Sequence, residues 1–158
     1  MFRNPIRERW AAGRAVANGW LSISSPFVAE IMAGQGDDSV PLDLHPGFLG
    51  PQAAGALFQA MRPSRAPLMA RALDAGAYGV ICPMINTPED AARLVSYVRY
   101  PPAGVRSFGP TRAVFSAGAD YGRHADGEIV CFAMIETREA VANLEAIVAT
   151  PGLDGVYV

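Results

Sequence analysis

The sequence contains no lysine, so all 13 of its basic residues are arginines. Schiff-base catalysis, attachment of pyridoxal phosphate and phosphate binding by a P-loop each require a lysine amine. Arginine stays protonated and cannot replace that amine. The absence of lysine therefore excludes these three mechanisms from the chain.

Cysteine is scarce as well, because the chain holds only Cys82 and Cys131, which lie far apart inside apolar runs. There is no C-x-x-C pair and no cysteine-rich framework of the kind found in small secreted domains. We expect both cysteines to be packing residues and not partners in a disulfide.

Long apolar runs and an excess of basic charge are also missing. No stretch approaches the roughly 18 apolar residues of a membrane span, and the arginine-rich start lacks the apolar segment of a signal peptide. A transit peptide is the alternative for that start, and Glu8 argues against it. The net charge of −2 does not suit a nucleic-acid-binding domain. We expect a cytoplasmic protein that binds neither nucleic acid nor membrane.

The composition is that of a packed globular chain. Of its 158 residues, 51% are hydrophobic and 18% are charged, which excludes global disorder. The length suits one domain but is short for a complete (β/α)₈ barrel, which typically needs about 250 residues.

Short apolar runs alternate with segments of helical period, and Gly or Pro stands at the joints. Strands are predicted over 19–23, 39–44, 78–85, 128–135 and 155–158, and helices over 26–33, 51–61, 68–75, 87–99 and 137–149. Two of these helices follow each other without the strand that the alternation requires between 62 and 67. Residues 101–127 are predicted to form one long loop. The pattern predicts an α/β fold with a parallel sheet.

Three places in this pattern carry residues suited to chemistry, because ligands of parallel α/β folds bind beyond the carboxyl ends of the strands. Glu136 directly follows an apolar strand and can hold a hard cation through oxygen. The alternative is a solvated acid at a helix start, favoured by the helix dipole. Spacing alone does not decide between them.

Asp43 and His45 end the second strand and have the spacing of two that places side chains on one face. An imidazole that a carboxylate holds in a fixed orientation can act as a general base. A pair of turn residues before Pro46 is the alternative, and the local sequence favours it. Arg112 lies in the predicted long loop, where an arginine can bind a substrate carboxylate in bidentate fashion or remain a surface side chain.

Several strings in the sequence resemble the HpcH/HpaI aldolase/citrate lyase family, in the same order and over about Asn18 to Val158. They are GWLS at 19–22, DLHPG at 43–47, RALDAGA at 71–77, PMINT at 83–87, RYPPAG at 99–104, GPTRA at 109–113 and IET at 135–137.

The resemblance implies a class II, metal-dependent pyruvate aldolase on a (β/α)₈ barrel, usually assembled as an oligomer. Such enzymes cleave compounds such as 4-hydroxy-2-oxoheptanedioate and 2-dehydro-3-deoxyglucarate. Their divalent metal, Mg²⁺ or Mn²⁺ with Co²⁺ as a further choice, is held by a glutamate and an aspartate. Glu136 matches that glutamate, and Arg112 falls in the GP-x-R-A loop as a substrate contact.

The chain departs from the family pattern in three places. Pro46 stands where the family has its base histidine, so His45 is displaced by one position. The strand carrying the family's R-V-P-W arginine is missing between Arg62 and Pro67. The second metal ligand belongs to a G-P-x-D-L motif beyond Val158. We therefore expect a partial barrel of about five units over 18–158, preceded by an N-terminal extension over 1–17.

These observations predict a metal-dependent aldolase that cleaves 4-hydroxy-2-oxo acids to pyruvate and an aldehyde, with a small-molecule substrate and a homo-oligomeric assembly. His45 and Asp43 are its expected catalytic residues, Arg112 its substrate ligand and Glu136 its metal ligand. The three departures favour the alternative, a catalytically degenerate chain that acts as a non-catalytic subunit partner. A flavodoxin-like binding domain would need a phosphate loop, and we find none.

Overall fold

The computed structural model describes residues 3–43 and 73–158 of the chain. In chain order these residues form helices α1 (Pro5–Ala11) and α2 (Pro26–Ala33), a short 3-10 helix (Leu73–Ala75), strand β1 (Gly79–Cys82), helices α3 (Pro88–Val98), α4 (Thr111–Ala117) and α5 (Tyr121–Glu128), strand β2 (Val130–Met134), helices α6 (Arg138–Ala142) and α7 (Leu144–Val148), and strand β3 (Gly155–Tyr157).

The three strands form a parallel sheet in the order β1-β2-β3. Gly79 pairs with Val130 in the first ladder, and Phe132 pairs with Gly155 in the second. Helices connect each strand to the next, as parallel pairing requires. The predicted α/β class with a parallel sheet is confirmed.

The first two predicted strands are shorter than expected. Instead of ladders over 19–23 and 39–44, the structure has two isolated parallel bridges, Asn18 to Ser39 and Leu21 to Leu42. The physical reason is Pro41, which accepts a hydrogen bond from the Leu21 amide at 2.9 Å but has no N–H to donate in return.

Side-chain caps begin the helices where the sequence places them. Ser25 accepts a hydrogen bond from the Val28 amide at the start of α2, and Thr87 forms a capping box with Asp90 at the start of α3. The buried face of α3 is formed by Ala91, Leu94 and Val98.

Two other expectations are wrong. The predicted loop over 101–127 contains helices α4 and α5, and the predicted helix over 137–149 is divided at Asn143 into α6 and α7. The Asn143 side chain donates to the backbone oxygen of Asn86 at 2.9 Å, a contact outside its own helix. The helix predicted over 51–61, the gap at 62–67 and most of the helix predicted over 68–75 lie outside the described residues.

Side chains of β1 to β3 point alternately outward, toward the helices, and inward. The inward-pointing side chains face each other across a cavity of about 310 Å³. It is lined by Ile81, Phe132 and Tyr157 on one side, by Trp20 and Pro41 on the other, and also by Asn18 and Val156. This arrangement, helices outside and strands around a central space, is the architecture of a (β/α) barrel.

Helix α1 closes the amino end of this space. Ile6 is buried against Val130, the first residue of β2, with Val16 and Phe132 packed around the pair. Asn4 links the same helix to α5, since its backbone N–H donates to the Glu128 carboxylate at 2.6 Å. Part of the segment 1–17 is therefore packed against the strands.

The Asp154 carboxylate joins three segments at this end. It accepts hydrogen bonds from Arg7 at 2.6 Å, from Arg99 at 3.5 Å and from the backbone amide of Cys131 at 2.8 Å. Arg99 also donates to the carbonyls of Ile129 and Gly152, which precede β2 and β3. Arg99 is buried, and Arg7 and Asp154 are half-buried. The hydrogen bonds among them offset the cost of removing these charges from water.

A second buried cation, Arg106, lies beyond the end of α3. It donates to Asp74 at 2.6 Å and to the Tyr121 hydroxyl at 3.2 Å. Its guanidinium lies 4.5 Å from the centre of the Tyr100 ring, a cation–π geometry. Burial raises the pKa of Tyr100 to about 12, and its hydroxyl finds no hydrogen-bond partner among the described residues.

Both cysteines are free, as predicted, with Cys131 buried and Cys82 half-buried. Burial raises the pKa of the Cys131 thiol to about 12, so it is an inert packing residue. Within the described parts of the chain, no helix has the length and apolar character that crossing a membrane requires.

We expect Asp154→Ala to lower the free energy of unfolding by about 3 kcal/mol, because it leaves the buried Arg99 guanidinium and the half-buried Arg7 guanidinium without their carboxylate. Arg93→Ala is the matched control: it breaks the exposed ion pair with Asp90, which solvent screens, and should change the free energy of unfolding far less. Urea denaturation at pH 7 measures both. Equal midpoints for the two variants would contradict this role of Asp154.

We also expect stability to fall as the pH rises above 10. In the unfolded chain Tyr100 ionises near its ordinary pKa of about 10, whereas the folded chain keeps the proton up to about pH 12. The unfolded state thus binds fewer protons in this window and gains stability. Tyr100→Phe should lose less free energy of unfolding between pH 8 and pH 11 than the parent. Tyr97→Phe, at an exposed ring, should behave as the parent does; equal losses in all three chains would refute the assignment.

Candidate functional site

Two of the predicted site residues lie at the carboxyl ends of the strands. Val16 packs near the start of β2, and Trp20 stacks on Tyr157, the last residue of β3, with ring centroids 5.3 Å apart. The segment 16–21 therefore runs in the same direction as β2 and β3. Because the segment 39–42 is parallel to it, Asp43 emerges at the same end as Glu136.

Glu136 follows β2 after one intervening residue, and its side chain is exposed. The backbone is held on both sides of it. The Ile135 backbone amide donates to the backbone oxygen of Tyr157 at 2.8 Å. The Thr137 hydroxyl caps α6 by accepting from the Ala140 backbone amide at 3.0 Å. The sequence position thus gives an exposed carboxylate on a fixed stretch of backbone, at the end where barrel chemistry occurs.

Asp43 is half-buried, and its carboxylate lies 3.5 Å from the Ser22 hydroxyl, which donates to it. Its backbone amide donates to Leu21 at 2.9 Å, so that the residue extends the pairing of the two segments. His45, its predicted partner in a general base, lies outside the described residues.

Arg112 lies at the opposite end. The residues that flank it, Gly109 and Ser116, approach Asp74 and Gly76, which precede β1 on its amino side. Its Nε atom is buried and has no hydrogen-bond partner within the described ranges. The structure therefore does not bring Arg112 together with Asp43 and Glu136 in one chain.

The donor set for a divalent cation is incomplete. Within residues 3–43 and 73–158, no three His, Cys, Asp or Glu side chains converge on one point. Glu136 offers one hard oxygen ligand, whereas Mg²⁺ sites usually combine one or two carboxylates with water and substrate oxygens. These residues do not by themselves make a cation site.

Sequence reasoning missed Asn86, whose side-chain oxygen accepts a hydrogen bond from the Thr137 hydroxyl at 2.5 Å. Asn86 directly precedes Thr87, the N-cap of α3, as Glu136 directly precedes Thr137, the N-cap of α6. The signal was available in the sequence, because Ile85-Asn86-Thr87 and Ile135-Glu136-Thr137 stand at the same place in two successive βα units.

Residues 60–158 match the model of the HpcH/HpaI aldolase/citrate lyase family. The chain is 37% identical, over 166 residues, to a hydroxypyruvate/pyruvate aldolase of Rhizorhabdus wittichii, covering 98% of this chain and 66% of the relative. It is 33% identical to a 4-hydroxy-2-oxovalerate aldolase of Rhodococcus jostii, covering 98% of this chain and 65% of that relative.

A solved structure agrees with these relatives. The crystal structure of an HpcH/HpaI aldolase/citrate lyase family protein from Burkholderia cenocepacia superposes with a TM-score of 0.85 at 29% identity, over 97% of this chain and 67% of that one. The chain belongs to the HpcH/HpaI aldolase/citrate lyase family. It spans about two thirds of the length of the curated relatives it matches. The resemblance in the sequence and the partial-barrel fold are both confirmed.

We expect Mn²⁺ to bind this chain weakly, because a single carboxylate with water is a poor cage for a cation that dehydrates reluctantly. Titration calorimetry should show a small heat that disappears in Glu136→Gln, which keeps the shape of the side chain and removes its charge. Tight binding that survives Glu136→Gln would mean that the site has been misplaced.

Proposed function

We propose that this protein is an aldolase that cleaves a 4-hydroxy-2-oxo acid to pyruvate and an aldehyde, and that the reaction depends on a divalent cation for which Glu136 supplies one ligand. The observation that carries the proposal is the position of Glu136, an exposed carboxylate on fixed backbone at the carboxyl end of β2. Relatives named as aldolases of pyruvate, hydroxypyruvate and 4-hydroxy-2-oxovalerate support the reaction class.

The reaction needs a base and a place for negative charge. A base removes the proton of the substrate's C4 hydroxyl, the C3–C4 bond breaks, and the hydroxyl-bearing carbon leaves as the aldehyde. The electron pair of the broken bond passes into the enolate of pyruvate, which then takes a proton at C3. We propose His45 as the base, with Asp43 orienting its imidazole. The site has hydrogen-bonding groups close to Asp43, since Ser22 already contacts that carboxylate.

The absence of lysine supports this chemistry over the Schiff-base route. A lysine-dependent aldolase forms a covalent imine with the oxo group, and this chain contains no lysine to form it. Charge on the enolate must therefore be stabilised without a covalent imine to any residue of this chain.

Arg112 enters the proposal through assembly. Because it lies beside the amino end of β1, it can contact an oxo-acid carboxylate near Glu136 only if a neighbouring copy presents it. We accordingly propose a homo-oligomer in which the end of one copy that carries Arg112 faces the end of the next copy that carries Glu136. We place the protein in the cytoplasm, where small oxo acids are available as substrates.

The test is release of pyruvate from 4-hydroxy-2-oxo acids, coupled to lactate dehydrogenase, with and without Mn²⁺. We expect slow turnover that requires Mn²⁺ and is lost in Glu136→Ala. General-base catalysis contributes about 10²–10⁴-fold, so His45→Ala should reduce the rate by that factor or to background. Glu139→Ala, at an exposed carboxylate one turn along α6, is the control and should keep the parent rate.

The proposal is overturned if the parent chain releases pyruvate no faster than Glu136→Ala at every Mn²⁺ and protein concentration. That result would favour a non-catalytic subunit partner.

A further inference from the structure

The turns after β1 and β2 have the same construction. Each begins with a buried isoleucine, Ile85 or Ile135, and ends with a threonine that caps the following helix. Thr87 accepts from Asp90 at 3.1 Å, as Thr137 accepts from Ala140 at 3.0 Å. The residue between isoleucine and threonine is Asn86 in the first turn and Glu136 in the second.

A hydrogen bond connects these two turns. The Thr137 hydroxyl donates to the Asn86 side-chain oxygen at 2.5 Å, and Asn143 donates to the Asn86 backbone oxygen at 2.9 Å. The backbone of Asn86 is held in turn, because its backbone amide donates to the Asp90 carboxylate at 3.3 Å. The Thr137 end of the turn is thus tied to the neighbouring βα unit, and the Ile135 end is tied to β3.

The chain also takes a strained path to reach Asn86. Met84, two residues earlier, has φ of +58°, a left-handed conformation that non-glycine residues adopt only at an energetic cost. Such strain persists where the surroundings determine the conformation. Here it redirects the chain at the carboxyl end of β1, between Pro83 and the buried Ile85.

We propose that Asn86 is a positioning residue for Glu136, acting through the hydroxyl of Thr137. The inference rests on the proposed function, since it assigns to Asn86 the task of holding the backbone of the proposed ligand. An exposed carboxylate binds a cation better when its backbone is already ordered, and groups that orient a ligand affect affinity although they do not touch the metal. The side chain at 86 is neutral and therefore adds no second charge beside Glu136.

Two variants of Asn86 separate its hydrogen bond from its bulk. Asn86→Ala removes the acceptor of the Thr137 hydroxyl, whereas Asn86→Asp keeps an acceptor oxygen in the same place. Thr150→Ala is the control, because it removes a side-chain hydrogen bond, from Thr150 to Ala146, just before the amino end of β3. Nitrogen-15 relaxation of the metal-free chain then reports the order of the Glu136 and Thr137 amides.

We expect order parameters near 0.85 at Glu136 and Thr137 in the parent, in Asn86→Asp and in Thr150→Ala, and values below about 0.6 in Asn86→Ala. Broadening of the Glu136 amide signal by added Mn²⁺ gives a second measurement. Asn86→Ala should need at least about tenfold more Mn²⁺ for equal broadening.

Unchanged order parameters in Asn86→Ala, or equal loosening in Asn86→Asp, would overturn the inference whatever Mn²⁺ does. Loosening in Asn86→Ala without any Mn²⁺ broadening at Glu136 in the parent would uphold the positioning role and contradict the proposed metal ligand. If Asn86→Ala does not fold, Thr137→Val and Thr137→Ser decide the question: the inference requires loosening in the first and parent-like order in the second.

Discussion

The Asp154 carboxylate is the contact on which the arrangement of the strands depends. It accepts hydrogen bonds from Arg7 in the N-terminal helix, from Arg99 at the end of α3 and from the backbone amide of Cys131 in β2. Each of these segments is distant from the others in sequence, and the loops between them leave their relative position open. A buried charge that is satisfied only when all three are in place selects one arrangement over its competitors.

The position of Asp154 also shows that the interactions that stabilise the fold and the candidate site residues lie at opposite ends of the strands. The buried ion pairs, the N-terminal helix and the Arg106 cluster all lie toward the amino ends of the strands. Asp43 and Glu136 lie at the carboxyl ends, where the Asp43 side chain is half-buried and the Glu136 side chain is exposed. Barrel proteins commonly have this division, which leaves the turns free to vary in chemistry while the opposite end maintains the fold.

Local sequence predicted the features that depend on local interactions. The caps at Ser25 and Thr87, the proline in each first turn and the apolar runs of β1 and β2 identified elements correctly, because capping and strand burial are determined within a few residues. The sequence also predicted at which end of the sheet Glu136 lies. A residue that directly follows a strand in a βα unit lies at the carboxyl end of the parallel sheet.

Features that depend on distant contacts were missed. Helices α4 and α5 contain or adjoin several glycines, and their stability comes from packing around Arg106, whose partner Asp74 is 32 residues away. The division between α6 and α7 depends on Asn143 meeting Asn86, a separation of 57 residues. The motif that contains Arg112 predicts a substrate contact, whereas the packing of α4 against the 3-10 helix before β1 depends on tertiary contacts that the motif does not encode.

The stacking of Trp20 on Tyr157 has an optical consequence. The chain contains two tryptophans. The other, Trp10, belongs to the N-terminal helix and meets Phe132 edge to face, with ring centroids 5.8 Å apart. Each indole thus samples a different end of the central space. Replacing either tryptophan by phenylalanine would leave a single tryptophan, whose emission, excited at wavelengths that tyrosine does not absorb, follows one end of the barrel independently of the other.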